Sequence, residues 1–469
     1  MLKNFISSKL LENLDFQPTG SQEELIDEIS TYISSGDPRE ILLVRGYAGT
    51  GKTTIVNSIV RTLKENGTRS VLMAPTGRAA KVMFAYTGHT AWTIHKKIYR
   101  QRSGSDGLGE FVLDRNMHKD TYFIVDEASM ISQSGADSVF GSGNLLSDLL
   151  RYLESGKNNR LILIGDTAQL PPVRLDISPA LEKRTLESYG YAVREFTLTD
   201  IVRHQADSGI LVNATAIRNQ INSGEHSIPS LKTTGFDDVE RVGGAELLEL
   251  ISASYDRYGE EDTIIVTRSN KRANKFNAGI RGQILWREEQ ISRGDLLMVV
   301  KNNYFWKNEL QQPDFIANGD IARIERVLGF EELYGFKYAD VELTLIDYSD
   351  VVIEARILLD VLDVDGPSLP HEQQRDMYRK ILEDYPELTN SRKRSEHMQN
   401  DKYFNALQVK FAYSVTCHKA QGGQWKSVFL DLGYFTDDMV SKDYLRWLYT
   451  AFTRATEKLY LVNFPDQFF

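Results

Sequence analysis

One nine-residue run, Gly46-Tyr47-Ala48-Gly49-Thr50-Gly51-Lys52-Thr53-Thr54, constrains this chain more than any other feature. It fits G-x-x-x-x-G-K-[ST], follows the apolar stretch ILLVR (41–45) and opens a segment with helical spacing of apolar residues. A buried strand that turns into a helix N-terminus leaves backbone N–H groups pointing inward. The helix dipole adds to their pull on an anion. The run is therefore read as a cradle for the phosphates of ATP. Gly46, Ala48, Gly49, Thr50, Gly51, Lys52, Thr53 and Thr54 line it. Lys52 reaches the outer phosphates, and the Thr53 hydroxyl faces Mg²⁺.

The strand–loop–helix unit recurs. VLMAP (71–75), YFIVDEASM (122–130) and RLILIGD (160–166) are apolar runs ending in polar loops, so residues 20–175 are read as a doubly wound α/β domain. Asp126 and Glu127 close the third run. One carboxylate on the Mg²⁺ side and one to take a proton from water is what ATP hydrolysis needs. Gln169, after the next strand, can both donate and accept, so it is read as a γ-phosphate sensor. A second α/β group follows: TIIVTRSNKRANKFNAGIR (263–281), SVFLDLGY (427–434), DYLRWLYTAFTRA (443–455) and KLYLVNF (458–464). Between its parts, short β-rich runs separated by Gly, Asp and Asn turns predict an inserted antiparallel module.

At 469 residues the chain has room for about three domains. Its single cysteine, Cys417, excludes an intrachain disulfide and a multi-cysteine metal site; it fits a reducing compartment, cytoplasmic or nucleoid-associated. No apolar run reaches the ~18 residues of a membrane span, and the N-terminal segment MLKNFISSKLLENLDF does not read as a secretory signal. The net charge is −10, yet residues 69–119 carry nine Lys/Arg against three acids, and 267–282 carry five with no acid. Two basic stretches, one per α/β domain, suit a groove for a nucleic-acid strand.

These motifs stand in the order found in superfamily 1 helicases of the RecD/Dda type, which the sequence resembles over nearly its whole length. Gln22 resembles the adenine-reading glutamine of that family. Gly46–Thr53, Asp126–Glu127 and Gly165–Gln169 resemble motifs I, II and III. Ala74–Ala80, with Pro75, Thr76 and Arg78, resembles motif Ia, and Thr93-Ile94-His95 the next strand-contacting motif. Leu198-Thr199 with Arg203 resembles the LTxxxR segment. Thr416–Gly423, with His418, Lys419 and Gly422, resembles motif V, and Tyr449–Ala455, with Arg454, motif VI. Gln424 stands where the family commonly has a glutamate that meets the ribose. The resemblance implies two RecA-like domains with parallel sheets, and ATP with Mg²⁺ in the cleft between them. Arg203 and Arg454 would stabilise the transition state, Glu127 would be the base and Gln169 the sensor. Pro75, Thr76, Arg78, His95, Lys271, Arg272, Thr416, His418 and Lys419 would meet the strand. Phe111 would be the wedge of a strand-separating pin.

The expected division is a first RecA-like domain (1–98 and 120–190) interrupted by a pin hairpin (99–119). A second follows (191–289 and 405–469), interrupted by an SH3-like β module with a helix (290–404). The expected activity is ATP-driven 5′→3′ movement on single-stranded DNA with unwinding at forks. The chain would act as a monomer, off the membrane, with single-strand-binding or replication and repair proteins as partners. A translocase that moves without unwinding, an enzyme of RNA, and a nucleotide-gated binding protein are the alternatives. Loss of unwinding on deletion of the pin, and nucleic-acid-stimulated turnover, separate them.

Overall fold

The computed structural model describes residues 2–14, 16–102, 110–133, 141–202, 207–303, 305–306, 316–348 and 351–469. Its first sheet has six parallel strands in the order Ala91–Thr93, Arg69–Ala74, Thr121–Val125, Arg160–Gly165, Glu40–Gly46 and Ala192–Leu198. The central strands are continuous apolar runs because helices cover both faces; Ile41, Leu42, Leu43, Ile124 and Ile162 are all fully buried. Their carboxyl ends bring Gly46, Val125 and Gly165 side by side, so loops distant in sequence meet along one edge.

The second sheet is also parallel, in the order Ser414–Thr416, Thr263–Thr267, Trp425–Asp431, Ala455–Val462 and Val239–Val242. A closed five-stranded barrel is inserted into this domain, built from Leu296–Val299, Ile321–Leu333, Phe336–Leu345, Val351–Leu358 and Leu407–Phe411. Closure leaves the module without a free sheet edge. A helix at His371–Glu383 packs Met377 and Ile381 against Tyr338 and Leu358 of the barrel.

Two expected boundaries move. Ala192–Leu198 pairs along its whole length with Glu40–Gly46, so the first domain runs past residue 190. The strand AVREFTL mixes polar and apolar residues because it lies at the sheet edge, only partly covered. The barrel likewise runs past 404: Leu407–Phe411 pairs with Leu296–Val299 and Val351–Leu358.

The expected pin begins as a two-stranded hairpin, Tyr99–Arg102 against Glu110–Leu113. Residues 103–109 lie outside the described residues. Phe111 is not a wedge. Its side chain is 7% exposed and shares an apolar cluster with Ile98, Tyr99 and Leu149, and its carbonyl accepts from Gly141 N at 2.7 Å. Position 111 falls on the inward face of its strand, which the sequence alternation did not single out. Phe111→Ala should therefore cost about 3–5 kcal/mol of stability, read as a lowered denaturation midpoint in urea. Unchanged stability would put the ring back at the surface.

Candidate active site and nucleic-acid interface

The cradle is a tight loop between the strand Glu40–Gly46 and the helix Lys52–Glu65. Gly51 takes φ +80°, and a Cβ there would collide with the Gln22 amide, so glycine is required on both counts. Lys52 Nζ donates to Gly46 O at 2.6 Å and Tyr47 O at 2.9 Å and lies 4.0 Å from the Asp166 carboxylate. Its charge is thus held over the loop. Gln22 is fully buried; its Nε2 donates to Thr50 O at 2.9 Å and its Oε1 accepts from Thr19 N at 3.0 Å. The amide expected to read adenine is here spent on fastening the cradle. Val202 N donates to Gly49 O at 3.0 Å, so the LTxxxR segment borders the same loop. Arg203 itself lies outside the described residues.

Asp126 and Glu127 end the strand Thr121–Val125. Asp126 accepts from Tyr86 OH at 2.9 Å and from Glu127 N at 2.8 Å. Burial and the Glu127 charge push its carboxyl up to about 6. Glu127 holds a left-handed backbone (φ 53°, ψ 36°), costly for a residue with a Cβ. Such strain at a strand end is common where a side chain must be aimed. The exposed Thr53 and half-buried Thr54 open the helix beside them. Among the described residues no three His, Cys, Asp or Glu gather as a metal site. Mg²⁺ is normally held by one or two protein oxygens plus substrate phosphates, and Thr53 and Asp126 carry oxygens of that kind.

The cleft is bridged from the second domain. Tyr449 OH donates to Asp166 Oδ2 at 2.6 Å and accepts from Ala48 N at 2.8 Å, tying motif VI to the cradle and to motif III at one oxygen. Burial pushes the Asp166 carboxyl up, and Lys52 and Tyr449 oppose the shift. Leu170 is held on both sides: its N–H donates to Thr450 Oγ1 at 2.9 Å and its carbonyl accepts from Gln421 Nε2 at 2.7 Å. Next to it, Gln169 is 5% exposed and its Oε1 has no hydrogen-bond partner among the described residues, an acceptor ready for a proton donor in the cleft. Asp166 and Tyr449 lie inside motifs III and VI, and motif position alone gives neither of them this role. The signal was available for Asp166, which ends its strand as Asp126 does.

Several expected site residues stand elsewhere. Arg454 does not face the cradle: it is 2% exposed, and its guanidinium donates to Thr450 O, Gly423 O and Thr453 Oγ1, each at 3.0 Å. Gly422, at φ +75°, packs against motif Ia, where a Cβ would lie 2.9 Å from Ala79 Cβ. Gln424 is exposed, and its carbonyl accepts from Arg78, which also lies over the Trp425 ring. Their described contacts are with motif Ia, not with the nucleotide cradle. Arg272 pairs through Nε and Nη2 with the fully buried Asp431, at 2.5 and 2.6 Å, while its side chain stays partly exposed. Lys271 beside it is exposed. Of the first basic stretch, Lys81 donates to Ile346 O at 2.8 Å and Lys96 sits 3.6 Å from the Tyr348 ring centre. Part of that charge therefore fastens the barrel to the first domain.

That docking builds a three-way junction. Pro75 and Thr76 precede the helix Gly77–Thr87, which Thr76 caps through Ala79 N at 3.2 Å. A Cβ at Gly77 would strike Asp320 of the barrel, and Lys419 of motif V is bonded to Asn318 of the same barrel loop. Thr416 precedes the short helix Cys417–Ala420 with its hydroxyl not used as a cap, and His418 is exposed. Burial, with Lys410 nearby, pulls the Lys419 ammonium down to about 8. His95 packs on Tyr99, and burial lowers it to about 4, so it is a neutral hydrogen-bonding group at pH 7. Thr76 lies against Gly422 of motif V, and Lys419 of the same motif meets the barrel at Asn318, so both α/β domains and the barrel meet here.

Two family models match in the order of these features: an AAA domain over residues 19–236 and a UvrD-like helicase C-terminal domain over 411–462. The ATP-dependent RecD2 DNA helicase of Deinococcus radiodurans is 24% identical over 452 residues, 94% of this chain and 50% of the relative. An uncharacterized protein of Methanocaldococcus jannaschii is 25% identical over 90% of this chain and 36% of its own length. The ATP-dependent DNA helicase dda of phage T4 is 26% identical over 264 residues, 55% of each chain. The chain thus spans half or less of the first two. A Pif1 helicase from Bacteroides, solved with ADP-AlF3 and single-stranded DNA, aligns over 96% of this chain and 93% of that one at 15% identity, with a TM-score of 0.47. With motifs I, Ia, II, III, V and VI in family order on two parallel sheets and a closed barrel inserted in the second domain, the chain is similar to the superfamily 1 helicases of the RecD and Dda type.

Proposed function

We propose that the protein is an ATP-dependent helicase that moves 5′→3′ on single-stranded DNA and unwinds duplexes at forks. The observation that carries this is the Tyr449 hydroxyl, bonded at once to the cradle N–H of Ala48 and to Asp166. The nucleotide pocket is thereby shared by two domains, as conversion of hydrolysis into relative domain movement requires. Lys52 holds the outer phosphates. Asp126 and Thr53 carry Mg²⁺, which supplies charge neutralisation at the phosphates when bound. Glu127 takes the proton of the attacking water, and Gln169 orients it. The DNA strand follows the junction of Thr76, Thr416, His418 and Lys419, where a change at the cleft is felt through motifs Ia and V. DNA as substrate and 5′→3′ polarity are supported by the RecD and Dda resemblance. The single buried cysteine suits work in a reducing, DNA-containing compartment. Among the described residues no helix is long and apolar enough to cross a membrane.

The test is strand displacement on duplexes with a 5′ or a 3′ tail, with and without ATP. Displacement of the 5′-tailed duplex alone, and only with ATP, is expected. Displacement of neither, with single-strand-stimulated turnover intact, would make the protein a translocase without unwinding.

A further inference from the structure

Phosphoryl transfer develops charge that one lysine on the cradle side leaves unneutralised, and a cation from the facing domain completes the site. Arg454 has all of its guanidinium nitrogens bonded to oxygens of its own domain. Another arginine of the second domain does reach the cradle. Arg218 lies on the helix Gly209–Ser223, and its guanidinium carbon is 4.4 Å from the ring centre of Tyr47, the second residue of the cradle. One turn on, Asn222 Nδ2 donates to the Tyr47 hydroxyl at 3.3 Å, so this helix face is set against the loop.

The guanidinium is poorly satisfied there. Nε and Nη1 are buried and have no hydrogen-bond partner among the described residues, and Nη2 has one long contact, 3.4 Å to Oδ1 of the adjacent Asn219. The buried arginines Arg281 and Arg356 show the contrast: Asp295 and Asp340 match each of them through two nitrogens. Buried cationic donors without an acceptor are costly, and they mark a place where an anion completes the structure. Arg218 also acts electrostatically on the Tyr449 hydroxyl, which touches both Ala48 and Asp166.

We propose that Arg218 is the second domain's cation for the terminal phosphates of a nucleoside triphosphate held at Gly46–Thr54. The assignment rests on the hydrolytic reading above. Water oxygen bonds to the γ-phosphorus as the bond to the β–γ bridging oxygen breaks. ADP leaves with that electron pair, Glu127 takes the water proton, and Arg218 donates N–H to the oxygens on which charge gathers. No motif contains Arg218, and its neighbours, AIRNQ, give no sign of it in the sequence.

Arg218→Ala and Arg218→Gln are the variants, with Arg454→Ala beside them; the glutamine keeps a polar stem over Tyr47 without the charge. The readouts are single-strand-stimulated ATP turnover, and the affinities for ADP and for ADP with aluminium fluoride, a transition-state mimic. Both Arg218 variants should lower kcat by about 10³ or more. They should weaken ADP–aluminium fluoride by more than about tenfold while ADP alone changes less than about threefold. A kcat within about threefold of wild type overturns the assignment. So does an equal loss of affinity for both ligands, which would make Arg218 a packing or ground-state residue. If Arg454→Ala alone separates the two ligands, Arg454 is the cation and Arg218 is not. Wild-type protein with no turnover on any strand would instead overturn the hydrolytic reading, and the two affinities would still decide Arg218.

Discussion

Glu127→Gln is expected to keep nucleotide binding and lose turnover by about 10²–10⁴-fold, the range associated with a positioned general base. The cradle, Lys52 and the Tyr449 bridge involve no atom of the Glu127 side chain, so the phosphates should bind as before. The amide has the shape of the carboxylate but cannot take a proton. The left-handed backbone at 127 is set by the Asp126–Glu127 turn, with Asp126 accepting from the 127 N–H, and the substitution retains it. Phosphate release with single-stranded DNA, beside nucleotide binding measured on one preparation, gives the answer. Near-normal turnover would remove Glu127 as the base and leave Asp126 and Gln169 to be tested.

The second large effect is a separation of two activities. Exchanging Gly104–Gly109 for a short Gly/Ser turn should leave single-strand-stimulated ATP turnover intact and abolish unwinding. Melting a duplex costs about 1.4 kcal/mol per base-pair step in stacking, and a fork with no wedge recloses behind the moving enzyme. Phe111 must stay in this variant, because it belongs to the first domain's core. ATP turnover and strand displacement would be measured together. Equal loss of both would mean that the segment supports the fold or the DNA groove. Retention of both would place strand separation elsewhere, with the barrel loop at Asn318 the next segment to alter.

What could be read in the sequence was what local geometry forces. The cradle was legible because glycines must stand where φ is positive and a side chain would collide, as at Gly51. Strands covered on both faces were legible as unbroken apolar runs. An edge strand such as Ala192–Leu198 was not, because one side of it needs no apolar residue. Charge counting does not see long-range pairing. Arg272 finds its partner 159 positions away at Asp431, and no spacing rule reports that. Motif position placed Arg454 near the right cleft, yet its side-chain direction depends on Gly423 and Thr450. Tyr449 and Arg218 matter because of what faces them across the cleft, and a single chain read in order does not show facing surfaces.

Leu170 carries a consequence for how the molecule folds and melts. It sits on a first-domain loop, yet its side chain and that of Ala168 belong to the apolar cluster of the second domain. Its peptide is gripped by Thr450 and Gln421 from that side. The second half cannot fill its interior without Ala168 and Leu170, whereas the apolar clusters of the first half are built from its own residues. A second half produced alone therefore lacks part of its hydrophobic filling, and it is expected to be less stable alone than beside the first domain.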